Sequence, residues 1–171
     1  MSDILSEFKT LLNSRKEKAE IMGVVKSSPE LFDLLVEFST TLEQPYSWRA
    51  AWILGHIIEE NDPRLAPLLP RFIDFLKVAR TGHLRQTIII LQKYDLDEEL
   101  EGFLFDNACS IWEDLSHMAS VRGSVFVIIY KVAKKHPELK AEIELLTTPY
   151  YLDTISPGIK NGILRRLKSL K

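Results

Sequence analysis

Arg49, Arg85, Arg122 and Lys160 stand 36, 37 and 38 residues apart, and each lies at the head of an apolar helical run. The runs extend from Trp48 to Leu54, Leu84 to Leu91, Val121 to Ile128 and Ile159 to Leu164. Self-similarity at such a period marks an array of stacked helix pairs, none of which can bury its apolar face alone. The pattern constrains architecture far more tightly than activity.

Nearly every segment carries apolar residues at i, i+3, i+4 and i+7, the stripe of an amphipathic helix. Leu31, Leu34, Leu35 and Phe38 form one stripe, and Phe72, Phe75, Leu76 and Ala79 another. Strand-like alternation is essentially absent. Proline supplies the punctuation: Ser28-Pro29, Asp62-Pro63 and Ser156-Pro157 each set a capping side chain before a residue suited to the first helical position. His136-Pro137 and Thr148-Pro149 mark further starts, with His136 as a cap. At Asp95-Leu96-Asp97-Glu98-Glu99 carboxylates replace proline and suit the positive end of a helix dipole. The spacing predicts helices near 2–12, 15–26, 29–42, 46–60, 64–79, 82–94, 97–117, 120–135, 137–147 and 157–170. Pro67 and Pro70 require the 64–79 helix to start late or bend.

The chain has 171 residues, about one domain's worth, and shows no linker, so one domain over 1–171 is expected. A net charge of −2 exerts no global pull on nucleic acid or acidic membranes. No apolar run approaches the roughly 20 residues of a membrane span. The acidic, amphipathic start does not read as a secretory signal, and the lone Cys109 cannot form an internal disulfide, so a cytoplasmic setting is expected.

An arginine opening a helix, small and apolar residues behind it, then Leu-Gly and an Asp-Pro-Arg restart resemble a HEAT repeat. Trp48 to His56, followed by Asp62-Pro63-Arg64 and the run to Phe72, is the clearest unit. Val121-Arg122 with the later His136-Pro137-Glu138-Leu139 is the next clearest. The resemblance covers roughly residues 15–171. It implies an all-α, right-handed α-α superhelix, a short solenoid of about four to five helix pairs. It also implies that the arginine-bearing helices form a concave inner layer, placing Arg49, Arg85, Arg122 and Lys160 on or near it. A likeness extends to DNA-alkylation-repair glycosylases built from such units. Only Trp112-Glu113-Asp114 and Trp48-Arg49 supply material for it here, and neither matches that family's spacing.

The basic row reads first as structural, each cation pairing with a carboxylate or helix-end carbonyl of an adjacent repeat, and second as a stripe for anionic ligands. Trp48 and Trp52, four residues apart, share a helix face. Trp52 reads as core and Trp48 as exposed, inviting a partner. Eight acidic residues between Asp95 and Asp114 read as a solvated face. Lys160, Arg165, Arg166, Lys168 and Lys171 form a basic C-terminal cluster. Five charges alone would bind nucleic acid weakly and with strong salt dependence.

No catalytic, cofactor-binding or metal-binding motif stands out. His56 with Glu59 and Asp114 with His117 each lie one helical turn apart, but without the further ligands a metal centre needs. His83 reads as a surface residue at a helix start, and Cys109 as a small core residue without a neighbouring cation to activate it. Gly55, Gly102, Gly123 and Gly162 read as close-packing positions within helices. The expectation is therefore a non-catalytic protein-interaction or scaffolding module whose contact residues are Trp48, Arg49, Arg85, Arg122 and Lys160. The alternative is a nucleic-acid-binding protein using the same row and the C-terminal cluster. The stripe Ile163, Leu164, Leu167 and Leu170 could cap the stack or support a homodimer.

Overall fold

A computed structural model describes residues 2–170, and all its regular elements are helical. Contacts gather into two compact units, Met1–Tyr94 and Asp95–Lys171.

The first unit contains α1 (Ser2–Asn13), α2 (Lys18–Lys26), α3 (Pro29–Phe38), α4 (Tyr46–Ile57), α5 (Leu69–Phe75) and α6 (Thr81–Leu91). Ser28 caps α3 as its spacing predicts, its hydroxyl accepting from the Leu31 N–H. The helix stops at Phe38, short of the expected 42, because the hydroxyls of Ser39, Thr40 and Thr41 turn back onto the carbonyls of Leu35, Glu37 and Phe38. Helix α4 ends at Ile57 rather than near 60: Ile58 is extended and Asn61 adopts φ 55°, a left-handed conformation asparagine tolerates.

Asp62 does not cap a helix. Its carboxylate is held by the Arg64 N–H and guanidinium at 2.7–3.1 Å, and Arg64 lies 4.0 Å over the Phe32 ring. The charge-assisted bonds from Arg64 hold the Asp62 carboxyl below its ordinary pKa. The helical path restarts as a 3₁₀ turn at Ala66–Leu68 and becomes α5 only at Leu69. Pro67 and Pro70 sit at the openings of those two elements, where a missing N–H is harmless.

Trp48 meets Gly82, and Gly55 meets Ile90, so α4 and α6 lie side by side and run parallel, as equivalent helices of successive repeats do. Their inner faces form the core with Phe8, Leu12, Leu35, Leu65 and Phe72. A buried Leu or Phe contributes about 1.5–3 kcal/mol by leaving water, which explains why the apolar stripes dominate the pairing.

The second unit contains α7 (Glu98–Glu113), α8 (Ala119–Lys135), α9 (Lys140–Leu146), α10 (Pro149–Leu152) and α11 (Pro157–Leu167). Asp97 caps α7, accepting from the Leu100 N–H at 2.9 Å. The start at Pro137 is a 3₁₀ turn leading into α9, and Thr148-Pro149 opens the short α10. His136 makes no capping bond; its ring instead approaches Glu101 at 2.9 Å and Glu138 at 3.3 Å. Helices α7 and α8 form the central pair. Trp112 is fully buried between them, its indole N–H donating to the Leu146 carbonyl at 2.7 Å. Gly123 meets Ile159 and Tyr130 meets Ser169, so α8 and α11 also run parallel. Among the described residues, no buried side-chain nitrogen or oxygen lacks a hydrogen-bond partner.

Candidate functional site

The four members of the basic row occupy equivalent places near the starts of α4, α6, α8 and α11, yet the fold uses them differently. Arg49 is half-buried and donates from Nη1 to the Leu12 carbonyl at 2.5 Å, satisfying an acceptor in the last turn of α1. Arg122 is 1% exposed. Its Nε donates to the Trp112 carbonyl at 2.8 Å, Nη1 to the Thr154 hydroxyl at 2.6 Å and Nη2 to the Tyr151 carbonyl at 3.5 Å. Its guanidinium carbon also lies 4.6 Å from the centre of the Trp112 ring. Burial holds its pKa below the ordinary arginine value. Lys160 pairs with Asp153 at 2.6 Å. Arg85 alone of the four is exposed and has no hydrogen-bond or ionic partner among the described residues.

The aromatic residues of α4 form a ladder. Trp48 is 37% exposed, and its ring stacks on Trp52 at 6.3 Å with only 8° between the planes. His56 continues the series with its ring at 70° to Trp52 and 5.2 Å away, held there because Nδ1–H donates to the Trp52 carbonyl at 2.7 Å. The spacing 48, 52, 56 puts all three on one face. Trp52 is thus half-exposed in the middle of this ladder and not a core residue, because the α4 core stripe is taken by Ala50, Ala51, Ile53, Leu54 and Ile57. Lys18 on α2 reaches to 6.0 Å over the Trp52 ring. Gly82 lets the Trp48 indole lie against α6: a Cβ there would come within 3.1 Å of its Nε1. Arg85 is three residues further along α6, on the same side. Neither exposed indole N–H has an acceptor among the described residues.

Arg49 and Arg85 therefore lie in the unit that carries the ladder, while Arg122 and Lys160 lie in the other unit. Sequence periodicity identified Trp48 but missed three contributors: His56 as a third ring, Lys18, and Gly82 as the floor under Trp48. The spacing from Trp52 to His56 was a usable signal. The contacts to Lys18 and Gly82 are non-local and have no local signature.

His83 is a core residue and not a surface one. It is 4% exposed, with Nε2 at 2.9 Å from the Ser39 carbonyl, Nδ1 at 3.3 Å from Gln44 Nε2, and its ring 4.8 Å from Phe75. The carbonyl can only accept and the amide N–H₂ only donate, which selects the neutral ring protonated on Nε2. Burial accordingly lowers its pKa. Cys109 is buried, and burial raises its thiol pKa to about 12. Among the described residues, no three His, Cys, Asp or Glu side chains gather as a metal would need, and no helix is long and apolar enough to cross a membrane. Lys171, assigned to the C-terminal basic cluster, lies outside the described residues.

The parallel pairs α4–α6 and α8–α11, with α3 packed on α4, α5 on α6 and α7 on α8, agree with the family to which the sequence compares. The HEAT repeat domain family matches residues 5–170, and the chain belongs to it. Domains of this family generally serve as protein-interaction scaffolds. No curated protein and no solved structure matches the chain.

Proposed function

We propose that this HEAT repeat domain is a non-catalytic scaffold that anchors a protein partner on the aromatic ladder of α4, with Arg85 as the adjoining cation. The observation that carries the reading is the stacked, solvent-facing Trp48–Trp52 pair beside an arginine with no internal partner. Tryptophan and arginine contribute disproportionately to protein interfaces because each brings a large, rigid contact surface together with polar donors. The ring planes are already aligned, so little side-chain entropy remains to be lost on binding. Arg49 belongs to the same surface as a support, tying α4 to α1 beneath the ladder. Arg122 serves the internal packing of the other unit, and Lys160 is engaged there by Asp153 at the surface.

A nucleic-acid partner is less well supported, because the row does not offer four free cations: Arg122 is buried and Lys160 is paired. Affinity capture from nuclease-treated native lysate, with wild type and Trp48→Ala and Arg85→Glu variants, tests the proposal. The expected result is a protein retained by wild type, lost by both variants, and unaffected by Lys168→Glu in the other unit. Recovery of nucleic acid alone, and only without nuclease, overturns it.

A further inference from the structure

The second unit carries a groove of about 730 Å³ between α9 and α11. Ile143, Leu164, Leu167 and Leu170 supply its apolar lining, and Leu164 is 38% exposed there. Lys140, Arg165 and Lys168 line it as well, all three exposed and none with a carboxylate partner among the described residues. The single opposing charge in the lining is Glu144.

Helix α9 rests on α7 and α8, the antiparallel pair before it. Helix α11 rests on α8 in its turn, but α9 and α11 are not packed together as α7 and α8 are, and the groove lies between α9 and α11. An amphipathic helix laid there would cover Leu164 and Leu167 of α11, and burying an apolar helix face in such a groove is a recurrent mode of recognition. The unpaired cations specify the flanks: a helix bordered by carboxylates gains attraction, and one bordered by lysines meets like charge at close range.

We infer that the α9–α11 groove docks an acidic amphipathic helix supplied by another protein. This site is separate from the aromatic ladder and does not depend on it.

Two fluorescent 16-residue probe peptides test the inference. Both carry leucine at i, i+3, i+4 and i+7; the remaining positions are mainly glutamate in one and mainly lysine in the other. Fluorescence anisotropy with the full chain is expected to show the glutamate peptide binding at least tenfold more tightly than the lysine peptide. Lys140→Glu/Arg165→Glu/Lys168→Glu should reverse that preference, and Leu164→Asp should abolish binding of both, while each variant keeps the wild-type melting temperature within a few degrees. Trp48→Ala should bind the glutamate peptide as wild type does, which separates this site from the ladder. Equal binding of the two peptides, no binding by either, or preference unchanged in the charge-reversed variant overturns the inference. So does sedimentation showing that the groove is instead occupied by a second copy, in a dimer abolished by Leu164→Asp.

Discussion

At the residue scale, one sequence position has several physical outcomes, and the surroundings choose among them. Arg122 is buried because three acceptors converge on its guanidinium: two carbonyls and a hydroxyl. Arg85, in the equivalent place, meets none. Leaving a buried neutral acceptor without its donor costs about 1–3 kcal/mol, whereas removing an exposed, unpaired arginine costs about 0.5 kcal/mol or less. His83 illustrates the same dependence on surroundings. Positions 83, 84, 87, 88 and 91 form one continuous buried stripe of α6, although the place of His83 beside Gly82 at the helix start reads as surface in the sequence. Its acceptor Ser39 and donor Gln44 lie 44 and 39 residues away, and they could not be read locally. Because its folded pKa is lowered, the unfolded chain binds more protons below about pH 6.5, and stability falls as the pH drops through that range. Urea unfolding at about pH 7 and pH 5 should show wild type losing stability on acidification and His83→Gln losing less. Equal losses would mean that this ring is not held neutral.

At the element scale, helix existence was legible and helix ends were less so. Starts marked by Ser28 and Asp97 appear where the capping chemistry places them. Ends such as Phe38 and Ile57 depend on hydroxyls folding back and on a left-handed Asn61, which a hydrophobic period does not encode. The glycines show why spacing alone cannot assign close packing. A Cβ on Gly123 would lie 2.8 Å from Ile159 Cγ2, so α8 approaches α11 closely there. A Cβ on Gly102 would meet nothing within 4 Å. Gly123→Ala should therefore destabilise the second unit by about 1–3 kcal/mol through overpacking. Gly102→Ala should stabilise it by about 0.5–1 kcal/mol through lower backbone entropy in the unfolded chain. Chemical denaturation of both variants checks the pair. Similar effects at the two positions would contradict the assigned packing.

At the scale of the whole molecule, the period of about 37 residues revealed the family, because every unit repeats the same apolar demand. It also singled out the positions worth asking about. It could not tell a free cation from a structural pin, since partners such as Leu12, Thr154 and Asp153 come from non-equivalent segments. The row is divided: Arg122 holds its unit together, and Arg85, exposed and unpaired among the described residues, carries the partner contact proposed beside Trp48. Arg85→Gln and Arg122→Gln, each measured for melting temperature and for partner capture, test that division most directly. Arg85→Gln is expected to melt like wild type but release the partner, and Arg122→Gln to melt several degrees lower. An Arg85→Gln protein that still holds its partner, together with an Arg122→Gln protein of unchanged melting temperature, would contradict it.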